Sequence, residues 1–286
     1  MKTPSDIRLI AFDLDGTLLT EKKELTPRTR TILERLSDQG ITLLPTTGRA
    51  LSGIPDAVKA LSGATYALTS NGAGVYHRLD DSAEPAYELM FEIPMNHDRT
   101  IALMTELSEL EVMPDPFIKG SCYMVKSKSH LIDRMAVTDS MKAYIRSSRT
   151  LIEDMPAFLQ DKDVQKITIN FATGEDGHRI DLDKVKHILE RYPEFVNVTG
   201  GIRNIEVSDK NATKGDAMLR LADHLGIRAD QIIAFGDSEN DITMLQAAGI
   251  GVAMANALDI TKEAADEITL TNDEEGVAVW LEEMFS

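Results

Sequence analysis

The chain has 286 residues, enough to bury a substantial core in one large or two medium domains. Its 30 lysines and arginines stand against 47 aspartates and glutamates, a net charge of -17, which repels phosphate backbones and anionic lipid and argues against a nucleic-acid partner. The single cysteine, Cys122, excludes an intrachain disulfide framework and suits a reducing compartment, and no apolar stretch approaches the length of a membrane span.

The apolar run at 7–12 is soon broken by aspartates, so the start of the chain does not read as a signal peptide, and the expected location is the cytoplasm. Apolar residues on successive positions there predict a parallel strand covered on both faces. Thr26 and Pro27 then open a helical pattern that carries Ile32, Leu33 and Leu36 and stops at Gly40. A second strand over 41–45 runs into Thr46-Thr47-Gly48-Arg49, followed by a helix from about 52 and a strand over 66–69. This alternation predicts a doubly wound, Rossmann-like parallel sheet of the α/β class. From 71 to about 92, turn residues between short apolar runs suggest a hairpin.

Beyond it the rhythm changes. Helices are expected near 97–110, 130–147 and 176–191, and strands over 121–127, 164–172, 194–198 and 202–207, which together describe an α+β insertion. The βαβ alternation then resumes. It runs through a helix over 213–225, a buried strand over 231–236, a helix over 240–248, a strand over 249–254 and a closing helix over 274–285. The expected organisation is a core of residues 1–90 and 203–286, interrupted by an α+β cap over 91–202.

In open α/β sheets ligands collect beyond the carboxyl ends of the strands, where Asp13, Thr47 and Asp237 fall. Asp13 and Asp15 sit two apart at such an end, where two carboxylates repel each other unless a cation or a shared proton intervenes. The run GDSENDITML adds Asp237 and Asp241, so four carboxylates are expected around one cavity. Oxygen-only ligands of this kind favour magnesium over zinc.

A phosphate monoester carries nearly two negative charges and an attacking carboxylate one more. At about 4 Å and an effective dielectric of about 20, each unit pair costs roughly 4 kcal/mol, so the approach costs roughly 8 kcal/mol. A divalent cation bridging nucleophile and phosphate reverses that sign, and Lys214 supplies a positive charge from another side. Thr47 Oγ1 and the Gly48 amide are placed to donate to phosphoryl oxygens. Asp13 would attack phosphorus to form an aspartyl-phosphate, while Asp15 gives a proton to the leaving alcohol and later takes one from the hydrolytic water.

At these residues the chain resembles the haloacid dehalogenase superfamily, and more closely its Cof-type sugar phosphatases, which carry a large α/β cap between the second and third motifs. FDLDGTLL is similar to the first motif, TTGR to the second, NATKGDAM with Lys214 to the third and GDSENDITML to the fourth. SNGAGVY at 70–76 is similar to a segment that follows the third strand. The resemblance implies magnesium held by the Asp13 carboxylate, the Asp15 backbone carbonyl and Asp237, with Asp241 acting through water or a hydrogen bond and Asn240 helping to hold phosphate. The family's Thr-Gly-Arg run aligns on Thr47, with Thr46 as the alternative. The lysine motif departs from the family at Asn-Ala-Thr before Lys214, which touches the lysine's angle of approach.

Plainer readings stand beside these. Asp13-X-Asp15-Gly alone reads as a turn or cap, Asp241 as a cap of the following helix, and Lys214 as a solvated lysine at a helix start. Neither acidic run matches a calcium loop, because the glycine and the last ligand fall at the wrong positions. Lys119, Lys126, Lys128 and Arg179 are candidate anion-binding residues of the cap, weighed against a solvated surface. Together these readings describe a magnesium-dependent phosphatase acting on a small phosphorylated metabolite, as a monomer or small homo-oligomer. The alternatives are a phosphomutase, which returns the phosphoryl group to a second hydroxyl, and a non-catalytic phospho-ligand sensor.

Overall fold

A computed structural model describes residues 6–80, 82, 85–199 and 204–286. The first apolar run becomes β1 (Leu9–Asp13), buried at all five positions. Thr26 caps α1 (Pro27–Asp38) by accepting from the Thr29 amide, with proline in the first turn, and Ile32, Leu33 and Leu36 make its buried face. There follow β2 (Thr42–Thr46), a short α2 (Asp56–Lys59), β3 (Tyr66–Thr69), β4 (Gly74–Arg78) and β5 (Tyr87–Glu92). The helix expected from 52 is cut down to a 3-10 turn and α2 because Pro55, at the N-cap of α2, interrupts it.

The chain then builds α3 (His97–Ser108), β6 (Val112–Ile118), β7 (Ser121–Val125), α4 (Asp139–Ser147), β8 (Arg149–Ile152), α5 (Met155–Leu159), β9 (Lys166–Phe171), α6 (Leu182–Leu189), β10 (Phe195–Thr199) and β11 (Ile205–Asp209). It returns through α7 (Lys214–His224), β12 (Ile232–Gly236), α8 (Ile242–Ala247), β13 (Ile250–Ala253), α9 (Asp259–Ala264), β14 (Glu267–Ile268) and α10 (Gly276–Met284).

Two compact units result. The first comprises Met1–Arg49, Ile54–Phe91 and Ala212–Ser286, and the second Ala50–Gly53 and Glu92–Asn211. In the first, eight strands lie in the order β14-β13-β12-β1-β2-β3-β4-β5. The pairings from β14 across to β3 are parallel, and the β3–β4 pairing is antiparallel. Leu9, Ala11 and Leu44 pack against Met218, Leu221 and Met244 of α7 and α8, and each buried leucine or methionine contributes roughly 2 kcal/mol. Near the end of the chain, Trp280 of α10 meets the Phe235 ring edge-on at 5.4 Å.

The second unit is a six-stranded sheet in the order β10-β11-β9-β6-β7-β8. Along β9, Ile167, Ile169 and Phe171 join Leu103, Leu107, Val185 and Leu189 in an apolar core. Lys166, Thr168 and Asn170 alternate with them and are buried too. Strand β6 was not expected from the sequence, because Pro114 and Pro116 argue against a central strand. Prolines two apart fall on the same strand edge, and β7 joins β6 only at Phe117 and Ile118. The helix expected over 130–147 is shorter, with 3-10 turns at Lys126–Arg134 and a helix only from Asp139.

The expected return to the core at 203 differs from the observed division at 211/212, because Ile205–Asp209 pairs antiparallel with both β9 and β10. Ile202 and Arg203, the start of the expected strand, lie outside the described residues. Among the described residues no helix is long and apolar enough to cross a membrane.

Candidate active site

All the residues of this site belong to the first unit. In the sheet register Asp13 of β1 lies beside Thr46 of β2, and Phe12 beside Phe235 of β12, so Asp13, Thr47 and Asp237 leave adjacent strands at their carboxyl ends. Leu18 N–H donates to Asp13 O and Leu19 N–H to Leu14 O, closing the turn after β1. Gly16 holds φ at +91°, and a Cβ there would lie 2.6 Å from Asp237 Oδ2, so the turn needs glycine for both conformation and room. Thr17 Oγ1 donates to Asp237 Oδ1 at 2.6 Å, and Ser238 Oγ to Asp237 Oδ2 at 3.0 Å, fixing both ends of that carboxylate.

Lys214, the first residue of α7, is fully buried and donates to Asp13 Oδ1 and Asp241 Oδ1, each at 2.6 Å. Burial alone would lower its pKa, but the two carboxylates outweigh that and hold it above the ordinary lysine range. Asp241 Oδ2 accepts from the amides of Asp237 and Ser238, both at 3.0 Å. Asp241 is therefore a cap of the turn leading into α8 and a partner of Lys214 at once.

One oxygen from each of Asp13, Asp237 and Asp241 lies within 4.8 Å of the others. Burial drives the Asp13 pKa up to about 8, against the pull of Lys214 and with the help of Asp241 and Asp237. Burial and Asp241 likewise push Asp237 up to about 6. The cause is an excess of negative charge: with all three ionised, one lysine leaves two charges uncompensated in a buried site. A divalent cation fits that deficit, and an all-oxygen donor set suits a hard one.

Of the four carboxylates expected around one cavity, Asp13, Asp237 and Asp241 form the close cluster, and Asp15 makes ion pairs of its own. Asp15 is held elsewhere: Arg49 Nε donates to Oδ2 and Nη2 to Oδ1, both at 2.7 Å, and Lys23 Nζ lies 2.9 Å from Oδ1. Burial would raise the Asp15 pKa, but these two cations outweigh it and hold the carboxylate below its usual range. The backbone carbonyl that the motif resemblance assigns to a metal is not affected by this pairing.

Thr47 is buried, and its Oγ1 accepts from the Arg49 amide at 3.1 Å, leaving the hydroxyl proton to be donated. Thr46 instead points its hydroxyl at Met244 Sδ, 3.3 Å away, which supports the choice of Thr47. Gly48 lies in the same loop. Asn240 Nδ2 donates to Asn71 Oδ1 at 2.9 Å, and Asn240 Oδ1 is buried without a partner. Ser70, Asn71 and Gly72 all hold positive φ, and a Cβ on Gly72 would lie 2.1 Å from Thr213 O, so this loop presses on the backbone that presents Lys214.

Sequence reading assigned no role to Arg49, Lys23, Thr17, Ser238 or Asn71. Thr17, Arg49, Asn71 and Ser238 stand inside quoted motifs, and their signal is that position alone; Lys23 stands outside them. Of the candidate anion-binding residues in the second unit, Lys126 pairs with Glu153 at 2.9 Å, Lys128 Nζ donates to the carbonyls of Ser108 and Leu110, and Arg179 lies over the Phe171 ring. Burial pushes the Cys122 thiol up to about 12, which removes it as a nucleophile.

A family model described as haloacid dehalogenase-like hydrolase matches residues 10–281. A putative phosphatase of Haemophilus influenzae is 33% identical over 279 residues, covering 97% of this chain and 98% of the relative. A 5-amino-6-(5-phospho-D-ribitylamino)uracil phosphatase of Bacillus subtilis is 30% identical over 281 residues, covering 97% of each. The structure of a haloacid dehalogenase-like hydrolase from B. subtilis superposes with a TM-score of 0.78 at 28% identity, covering 96% of this chain and 99% of that one. With the four motifs in order and three of their carboxylates gathered around a buried lysine, the chain belongs to the haloacid dehalogenase-like hydrolases and stands among that family's phosphatases.

Proposed function

We propose that the chain hydrolyses small phosphate monoesters with magnesium bound, through an aspartyl-phosphate on Asp13. The observation that carries this reading is Lys214 buried between Asp13 and Asp241, with an Asp237 oxygen within 4.8 Å of both acids. Such a site has one carboxylate aimed outward from a strand end and a fixed positive charge beside it, which is what an anionic nucleophile facing an anionic ester requires.

Asp13, Asp237 and the Asp15 backbone carbonyl would hold the magnesium, which when bound neutralises charge on the transferring group. Asp241 orients the site from behind, since both of its oxygens are already engaged by Lys214 and two backbone amides. Lys214 pulls Asp13 toward its ionised form and holds it in place for attack on phosphorus, and a bound cation would complete the ionisation. Thr47 Oγ1 and the Gly48 amide would donate to phosphoryl oxygens, with Asn240 assisting. Asp15 in its carboxylate form suits the base role toward water. Its acid role requires it to leave Arg49 and Lys23 and take up a proton, and a substrate phosphate competing for Arg49 would favour that exchange.

The second unit would select the leaving group. A phosphoribityl compound, named for the B. subtilis relative, supports a polyol or sugar phosphate as the substrate class. The single buried Cys122 supports a reducing, cytoplasmic setting. The test is phosphate release from a panel of sugar, polyol and nucleoside monophosphates with and without magnesium, alongside Asp13→Asn. Release that depends on magnesium and vanishes in a folded Asp13→Asn protein supports the reading. An isomeric sugar phosphate formed without free phosphate would replace it with a mutase.

A further inference from the structure

The turn Ser70-Asn71-Gly72, which follows β3, is buried, and its three residues hold φ at +53°, +59° and +103°. Left-handed backbone is costly for residues with a Cβ, and two of them in succession persist only where the surroundings hold them. Here the surroundings are the other motifs. Ser70 N–H donates to Arg49 O at 3.0 Å and Asn71 N–H to Thr47 O at 3.1 Å, so the turn grips the second motif on both sides of Gly48. Gly72 rests on the carbonyl of Thr213, where the chain enters α7.

The Asn71 side chain reaches a further motif. Its Oδ1 accepts from Asn240 Nδ2 at 2.9 Å, across 169 positions of chain. Asn240 stands in the 3-10 turn Glu239–Asp241, one residue before the Asp241 that pairs with Lys214. Among the described residues this is the only hydrogen bond of the Asn240 side chain, whose Oδ1 is buried without a partner. A side-chain amide has a broad, roughly two-fold torsional preference and two ends of nearly equal shape, so packing alone does not choose which end faces which way. Asn71 Oδ1 makes the choice. It can only accept, so it fixes the donor end of Asn240 toward itself, and the second Nδ2 proton is left for an anion.

We propose that Asn71 is a positioning residue, which orients the Asn240 amide so that a donor rather than a carbonyl oxygen meets the phosphoryl group. The proposal rests on the phosphatase reading, in which Asn240 assists at the phosphate, and adds to that site a residue acting through Asn240 alone.

Asn71→Gly tests it, because glycine adopts the left-handed backbone freely and only the side chain is lost. The full chain with magnesium is assayed on 4-nitrophenyl phosphate and glucose 6-phosphate, and its affinity for inorganic phosphate is measured by calorimetry. Both kcat/KM and that affinity should fall about tenfold, the effect of one misdirected hydrogen bond. The melting temperature should stay within about 4 °C of the parent's. Asn240→Ala should lose at least as much activity and affinity. The double variant should lose no more than Asn240→Ala alone, since a residue acting through Asn240 then has nothing left to orient, whereas a merely structural residue would add its own loss. Losses that add in full, phosphate affinity indifferent to Asn71→Gly, or a melting temperature lowered beyond that range would overturn the proposal. A parent that binds inorganic phosphate, and does so about tenfold less tightly as Asn71→Gly, yet releases none from any ester would sink the phosphatase reading and support this one.

Discussion

Lys214 donates to Asp13 from a position with no solvent exposure, 2.6 Å from the carboxylate and 201 residues away in the chain. Asp241 accepts a second hydrogen bond from the same ammonium group. Removing this lysine leaves two buried acids facing each other, the situation in which breaking a buried ion pair costs most. Lys214→Met should therefore lose roughly 3–5 kcal/mol of stability in urea unfolding, and phosphate release should fall by about 10²–10³-fold. Unfolding within about 1 kcal/mol of the parent would show that the lysine does not neutralise the site.

Gly16 sits against Asp237 with its backbone in the left-handed region. In Gly16→Ala the new methyl group must push the Asp237 carboxylate away from Thr17 and Ser238. The magnesium concentration giving half-maximal activity should rise about 10–100-fold, the range seen when partners of metal ligands are lost. Titration of activity with magnesium checks this, and an unchanged requirement would remove Asp237 from the metal's donors.

Arg49 grips both oxygens of Asp15 from a partly exposed position, so its contribution to folding should be small. Its effect on activity should be larger, because a misplaced acid/base group can cost about 10²-fold. Arg49→Ala should melt within a few degrees of the parent while kcat falls by one to two orders of magnitude. Arg49→Lys should recover only part, since an ammonium group cannot reproduce the two-point contact. Full activity in Arg49→Ala would make the pair a mere surface contact.

Burial pushes the Asp115 pKa up to about 7 from 3.8, against the opposing pull of Arg149. A raised carboxyl pKa means that the folded state binds the proton more tightly, so this residue's contribution is complete below about pH 4 and is lost as pH rises through 7. The loss is bounded at roughly 4 kcal/mol, about three units at 1.36 kcal/mol each. Asp115→Asn cannot ionise, so the stability of the variant relative to the parent should improve between pH 5 and pH 8. Parallel pH profiles from thermal or urea unfolding would show that Asp115 is ionised throughout.

Local chemistry made much of this molecule readable in advance. The apolar run of β1 ends in Asp13 because a strand covered on both faces can tolerate charge only where it leaves the sheet. Thr26-Pro27 begins α1, and Thr213 begins α7, because each threonine side chain accepts from an amide of the first turn. Strand β6 escaped notice because its prolines violate the local rule, and only its neighbours in the sheet explain why they are tolerated.

The sequence by itself determined which residue types stand at the strand ends, and hence that carboxylates and a lysine would meet. Spacing along the chain constrains the direction of a side chain only over a few residues. The tertiary structure alone decided that Asp15 turns to Arg49 while Asp13, Asp237 and Asp241 converge. It alone decided that Asp115 and Thr168 face each other with unfilled acceptors. Contacts between residues tens to hundreds of positions apart depend on sheet order and register, which the sum of many weak packing interactions selects and no single motif encodes.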